Sequence, residues 1–535
     1  MKSLCPEQTA WVEKTLASLT LEERVGQLLL PMCANPEQYE TIRRLLPDLR
    51  LGGVFVFGAR PEEHRERIHT LQGLSRVPLV VAADLEAGAG HVVRGGVPFP
   101  DPLAVAATDR DDLAWQMGRA AALQGRSVGI HWTFAPVVDV NVNPDNPIAN
   151  TRSLGDDPER VSRLAAAIIE GAQEHGLATC AKHFPGDGID DFDQHVVTSV
   201  NSLSLEDWKR ISARAFSAAF AADVMSVMIG HIALPAWDPA TDRRGAFCPA
   251  SVNRRIVTDL LRQEMGYEGL IVTDDMNMGG VAGYMNHADR TVACIAAGCD
   301  MLLFPQLPED CHVLLAAVKN GRLSEERLND AVRRILEFKA RLSLHEGQLE
   351  YEEPSDVQVK EFQRTARLIA EGALVKVRDV DSFLPLRNLK AGARVATVTL
   401  FIEPVGLPQV DEALRARGFQ VDHFDNPGFE FSQIAAGYDA IFVNFAYKAS
   451  WGVNSVRSVG VHNRMFMFGF YMEQPNVVFT SFGSPYHLRQ FSALPNLINA
   501  HSSSDDSQIA AVAAWFGDLP MNGKSPVGNL TRTFK

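Results

Sequence analysis

From residue 25 to residue 304, short and continuously apolar runs alternate with longer stretches whose apolar residues recur at helical spacing. The runs cover 25–32, 53–57, 79–83, 129–138, 178–184, 224–229, 270–273 and 301–304. They do not alternate apolar with polar as a half-exposed strand would, so they predict strands buried on both faces. Residues 61–74, 111–124, 158–175, 205–222, 253–265 and 287–297 lie between them and predict amphipathic helices. This alternation predicts an α/β fold, a TIM-like (β/α)8 barrel, with an open doubly wound sheet as the alternative. A helical pattern at 325–338 closes it, and the acidic, proline-containing stretch 346–356 has no apolar period and reads as a linker. After a helix at 359–374, strands at 394–401, 420–424, 440–444, 476–481 and 497–500, with helices at 409–417 and 509–515, predict a smaller αβα sandwich. The expected domains are 1–345, 346–380 and 381–535.

Composition narrows the classes of function. The chain has 535 residues, 46% apolar and 22% charged, as expected of a soluble globular protein. A net charge of −14 argues against nucleic acid and anionic membrane as partners, since both reward an excess of Lys and Arg. Seven scattered cysteines without a CxxC give neither a disulfide framework nor a zinc spacing. With no leader-like N-terminus and no long uninterrupted apolar run, the expectation is a cytoplasmic protein.

The polar residues that follow the predicted strands supply the candidate chemistry. Asp84 and Glu86 follow the third run, Asp139, Asn141, Asn143 and Arg152 the fourth, Lys182 and His183 fall at the end of the fifth, His231 follows the sixth, and Asp274 with Asp275 the seventh. In a parallel barrel these positions share one end, where binding and catalysis sit. Lys182 also opens the polar loop KHFPGDGIDDFDQH, which ends at His195. Asp193, two residues before His195, can orient the imidazole and favour its charged form, which makes the pair a proton carrier. A solvated histidine is the plain alternative, and metal binding by His183, His195 and His231 lacks any HExxH-like spacing. Adjacent strand residues face opposite ways, so only one of Asp274 and Asp275 can face the axis, as nucleophile, water activator or metal ligand; periodicity leaves open which. An N-cap is the plain reading of that pair. Arg152, Lys182 and His183 offer donors to sugar hydroxyls or an amide carbonyl, and Asp84 can accept from adjacent hydroxyls; ion pairing and loop bracing are the structural readings.

At these residues the sequence resembles glycoside hydrolase family 3, in its β-N-acetylglucosaminidase subgroup and two-domain form. The subgroup's K-H-F-P-G-H-G, four residues, D-S-H stands here as KHFPGDG, Ile189-Asp190-Asp191-Phe192, DQH. Phe134-Ala-Pro-Val-Val-Asp139, Asn143-Pro-Asp-Asn-Pro147, Thr151-Arg-Ser-Leu-Gly155 and Thr273-Asp-Asp-Met also match, as does Gly523-Lys-Ser-Pro-Val527 more weakly. The resemblance implies Asp274 as nucleophile, His195 as general acid/base oriented by Asp193, Asp84, Arg152, Lys182 and His183 as sugar-binding residues, and His231 as a pocket-lining residue. It implies a barrel followed by an αβα sandwich, a small saccharide as partner, and no metal or organic cofactor. Two departures stand out: Asp187 replaces a usual histidine, and Asp84-Leu-Glu-Ala-Gly88 replaces D-Q-E-G-G. The expected activity is a retaining exo-β-N-acetylglucosaminidase acting on small cell-wall or chitin-derived saccharides. The alternatives are an N-acetylglucosaminide phosphorylase, against which the acids Asp187, Asp190 and Asp191 would repel phosphate; a β-glucosidase; and a non-catalytic sugar-binding protein.

Overall fold

The apolar runs become strands where nothing competes for their backbone groups. In the computed structural model, which describes residues 3–347, 352–467, 469–474 and 476–531, they form β1 (two pieces, Leu29–Leu30 and Met32–Cys33), β2 (Gly53–Val56), β3 (Val80–Ala83) and β4 (Trp132–Thr133). They continue as β5 (Cys180–Phe184), β6 (Ser226–Ile229), β7 (Leu270–Thr273) and β8 (Leu302–Leu303). All their pairings are parallel. β1 pairs β2, β2 pairs β3 and β3 pairs β4; a bridge from Trp132 to Ala178 leads toward β5; β5 pairs β6 and β6 pairs β7. A bridge from Val272 to Met301 leads to β8, whose Leu302 returns to Leu29 of β1.

Two predicted strands are shorter than their apolar runs, each for a local reason. The first run begins inside a helix, Leu21–Gln27, because Thr20 and Glu23 form a capping box that propagates through Val25. The fourth shrinks to two residues because Pro136 has no N–H for the ladder; beyond it only Val137 bridges to Lys182.

The C-terminal part is built on six strands: β9 (Val375–Asp379), β10 (Arg394–Leu400), β11 (Gln420–Asp425), β12 (Ala440–Phe445), β13 (Val477–Ser481) and β14 (Asn496–Asn499). Their order is β9-β14-β13-β12-β10-β11, with β9 antiparallel and the rest parallel. Both faces are buried: Val395, Phe442 and Val478 join one apolar cluster with Leu414 and Trp515, and Val398, Val443 and Phe479 join another with Phe431 and Phe470. Of the predicted linker 346–356, residues 348–351 lie outside the described residues; a helix, Asp356–Gly372, follows, and β9 occupies the end of the stretch expected as linker and helix. Among the described residues no helix is long and apolar enough to cross a membrane.

Candidate active site

The cationic side of the site is organised by Glu86. Its carboxylate takes Arg152 through Nε at 2.9 Å and Nη2 at 2.7 Å, and Lys182 Nζ at 2.6 Å. Lys182 also reaches Asp84 at 2.9 Å, and Asp84 remains half exposed. Burial alone would raise the Glu86 pKa, but the adjacent Arg152 and Lys182 charges outweigh it and hold the carboxyl well below its ordinary range. The same contacts outweigh burial in the other direction for Arg152 and Lys182, so both stay cationic.

Lys182 and His183 are consecutive in β5, and a regular strand would point them to opposite faces. The β5–β6 register shifts between Ala181 and Phe184, and both side chains reach acids at neighbouring strand ends. His183 Nδ1 donates to Asp139 Oδ2 at 2.7 Å, while Asp139 Oδ1 accepts the backbone N–H groups of His183 at 3.0 Å and Asp187 at 2.7 Å. That leaves His183 Nε2 facing Asp274, 4.0 Å from Oδ2.

The two acids after β7 separate clearly. Asp275 accepts the backbone N–H of Asn277 at 2.8 Å and its side chain at 2.9 Å, which caps its own turn. Asp274 faces the imidazoles. Burial opposes its charge, yet His183, His231 and His195 around it bring its pKa below the ordinary value. His231 is fully buried, with Nε2 donating to Asp275 O at 2.8 Å and Nδ1 accepting from Ser251 Oγ at 2.8 Å, so both its nitrogens are taken by protein atoms.

The loop after β5 brings His195 to the same place. Asp193 Oδ1 accepts from His195 Nδ1 at 2.6 Å and from its backbone N–H at 2.8 Å. Burial disfavours the imidazolium, but the Asp193 hydrogen bond and the Asp274 charge prevail and raise the His195 pKa. Asp193 moves the opposite way, its carboxylate favoured over the effect of burial by His195. Gly279 N–H donates to His195 O at 2.8 Å and Gly280 N–H to Gln194 O at 3.1 Å, which locks this loop to the one after β7. A Cβ on Gly279 would stand 2.2 Å from Val196 O, so the approach needs glycine there.

Asp187 points into the loop. Its Oδ1 accepts from Asn146 Nδ2 at 2.8 Å and Gly188 N–H at 2.7 Å, and its Oδ2 from Gln194 Nε2 at 3.3 Å. Gln194 Oε1 in turn accepts the His231 N–H at 2.7 Å. Burial, reinforced by the Asp139 charge, pushes the Asp187 pKa up to about 6.

Geometry thus brings Asp84, Arg152, Lys182, His183, Asp193, His195 and Asp274 to one end of the parallel strands. Glu86 and Asp139, read in the sequence as acids at strand ends without an assigned role, support the site, and Gln194 was not singled out. Glu86 and Asp139 had a signal, since each is an acid at a strand end opposite a cation or imidazole. Gln194 had only its place inside the DQH triplet. Among the described residues no group of three or more His, Cys, Asp or Glu side chains is arranged to hold a metal ion.

A part-buried carboxylate among imidazoles, one of them held by Asp193, with Arg152 and Lys182 at the same end of the parallel strands, is an arrangement that a retaining glycoside hydrolase can use. Residues 20–338 match the Glycosyl hydrolase family 3 N terminal domain, and the chain belongs to that family. It is 34% identical to the β-N-acetylglucosaminidase/β-glucosidase of Cellulomonas fimi, over 98% of this chain and 96% of the relative. Among solved structures it is similar to a β-glucoside phosphorylase BglX bound to 2FGlc, with a TM-score of 0.90, 30% identity, and 98% and 97% of the two chains covered. It is also similar to a family 3 β-N-acetylglucosaminidase from Paenibacillus sp. str. FPU-7, with a TM-score of 0.83, 25% identity, and 97% and 100% covered.

Proposed function

We propose that the chain is a retaining exo-β-N-acetylglucosaminidase acting on small GlcNAc-terminated saccharides of cell-wall or chitin origin. Its catalytic domain, residues 1–345, is a (β/α)8 barrel, and residues 381–535 form an αβα sandwich. The succession of parallel pairings from β1 round to β8 and back, with isolated parallel bridges alone joining β4 to β5 and β7 to β8, supports the barrel. The observation that carries the activity is Asp274 facing His183 and sensing His195, whose Nδ1 is held by Asp193.

Asp274, ionised among imidazoles, attacks the anomeric carbon while His195 Nε2 gives its proton to the departing oxygen. The glycosyl ester is then broken by water, which His195 deprotonates as a base. An imidazole serves both halves of the cycle because its pKa lies near the working pH. Lys182, Arg152 and Asp84 bind ring hydroxyls, and His183 binds beside the nucleophile. His231, first expected to line the pocket, braces the loop that carries Asp274, since it has no free nitrogen to offer a ligand. Hydrolysis of an aryl β-GlcNAc by the wild type, its loss in Asp274→Ala, and a 2-fluoro-sugar adduct on Asp274 located by mass spectrometry test the reading. Full activity in Asp274→Ala overturns it.

A second reading, phosphorolysis, is favoured by the likeness to a β-glucoside phosphorylase over nearly the whole chain. Of the three acids expected to repel phosphate, Asp191 is exposed and still opposes this reading, while the other two are more sheltered. Asp187 is buried against Asn146 and Gln194, and Asp190 accepts the Val200 N–H at 2.7 Å. Running β-GlcNAc and β-glucoside substrates with and without phosphate separates the two: a sugar 1-phosphate as main product selects phosphorolysis, and free sugar at an unchanged rate selects hydrolysis.

A further inference from the structure

Asp193 is completely buried, yet its loop is not: Phe192 on one side is 56% exposed and Val196, three residues on, 51%. The cover comes from the other half of the molecule. In the segment that follows β12, the Gly452 N–H donates to Asp193 Oδ2 at 2.7 Å, and Asn454 Oδ1 accepts the Asp193 backbone N–H at 3.1 Å. The division of labour is complete, because Asp193 Oδ1 serves His195 alone while its second oxygen and its amide are both satisfied from the C-terminal part. Both donor and acceptor depend on an unusual backbone. Gly452 has φ 77 and Asn454 φ 58, left-handed conformations natural to glycine and tolerated by asparagine.

We propose that Gly452 and Asn454 are positioning residues for the Asp193–His195 pair, so that the C-terminal half completes the acid/base site of the N-terminal half. This rests on the roles assigned above to Asp193 and His195. The physical effect is twofold. The two bonds fix the loop from the C-terminal half, in addition to the hold of Gly279 and Gly280, and they keep water from Asp193, so that its carboxylate serves the imidazole and not solvent. Free of this hold, Asp193 would be solvated and His195 would lose both orientation and proton affinity.

The test uses the full-length protein. Asn454→Gly removes the acceptor without straining a left-handed position, and Asn454→Asp keeps an acceptor oxygen there. The first readout is hydrogen exchange of the Asp193 amide, which needs no activity; it is expected to quicken about tenfold in Asn454→Gly and to stay protected in Asn454→Asp. The second is the pH profile of kcat/KM on a GlcNAc substrate with a poor leaving group. In Asn454→Gly, kcat falls about tenfold with KM little changed, and the high-pH limb moves down; in Asn454→Asp the limb returns to the wild-type position or above. The charged and titratable groups facing His195 are Asp193, Asp274, Asp275, Arg152 and His231. None of them is altered in Asn454→Gly, so movement of its limb traces to Asp193; Asn454→Asp adds a carboxylate of its own beside the pair, so for that variant the exchange measurement decides. Unchanged exchange and an unmoved limb in Asn454→Gly overturn the proposal. If the wild type cleaves no β-GlcNAc, the functional reading fails, and the exchange measurement alone still decides whether Asn454 holds the loop.

Discussion

Asp274 is usable as an ionised nucleophile because three imidazoles surround it while Asp275 spends its carboxylate on Asn277. Asp274→Ala is therefore expected to lower kcat/KM by about 10⁴-fold or more, against a small loss in Asp275→Asn, as steady-state kinetics would read it. The raised His195 pKa sets the pH dependence. The acid form is needed to protonate the leaving group, so kcat/KM falls as pH rises through that pKa, and the limb is expected above the ordinary imidazole value of 6.5. In Asp193→Asn the limb should drop toward or below that value. The stability His195 adds has the same sign: present below the ordinary value and lost as pH climbs through the raised one. Sequence spacing singled out the pair but could not choose between Asp274 and Asp275, because strand alternation needs an absolute register that only the neighbours supply. Glu86 was legible as an acid at a strand end but its role was not, for a related reason: an acid that neutralises two binding cations has no local motif of its own. Its pKa is depressed, so its contribution to stability is present above the ordinary carboxylate range and lost as pH falls below it. Glu86→Gln should cost about 3 kcal/mol at neutral pH, and the difference should shrink in acid, as denaturant melts at several pH values would record.

At the scale of elements, the loop from Gly186 to Thr198 owes its shape to Asp187 and Gln194 together. Where the resembling subgroup carries His and Ser, this chain has a carboxyl and a carboxamide that bond each other, the first tied to Asn146 and the second to His231. Asp187→Ala would leave the Asn146 and Gln194 amides without their buried acceptor, an expected loss of about 2 kcal/mol in thermal or denaturant unfolding. The alternative idea, that Asp187 faces the substrate, predicts a KM change with little loss of stability. The sequence identified 187 as a departure but could not tell the direction of its side chain, since a loop has no period from which to read a face. The strands were more legible: β2 to β8 each lie within their apolar runs, and β1 passes the end of its run by one residue, Cys33. Their ends were lost where a capping box or a proline spoke for the backbone more strongly than hydrophobicity, at Thr20–Glu23 and at Pro136.

At the scale of the molecule, the two halves are joined by more than the contact at Asp193. The chain's last described segment crosses back onto the N-terminal part. Lys524 N–H donates to Ala107 O at 2.8 Å, Arg160 Nη1 to Ser525 O at 2.9 Å, Asp156 N–H to Pro526 O at 3.2 Å, and Gly528 N–H to Asp156 Oδ2 at 2.7 Å. Val527 packs with Leu103 and Tyr486, one from each half, and Tyr486 Oη accepts from Asn141 at 3.1 Å. Terminal motifs of this kind read in sequence only as a weak family match, because their meaning lies in what they touch some 370 residues away. The strap meets Gly155 so closely that a Cβ there would lie 2.3 Å from Pro526 O, and Gly155 itself has φ 118. Gly155→Ala must then displace the strap, at an expected cost of about 2 kcal/mol from backbone strain before the lost contacts are counted. Because the halves share buried polar and apolar contacts, calorimetry of the wild type should give one cooperative transition. In Gly155→Ala it should melt lower and broaden or split as the halves uncouple; an unshifted single transition would show that the strap follows the fold and does not hold it together.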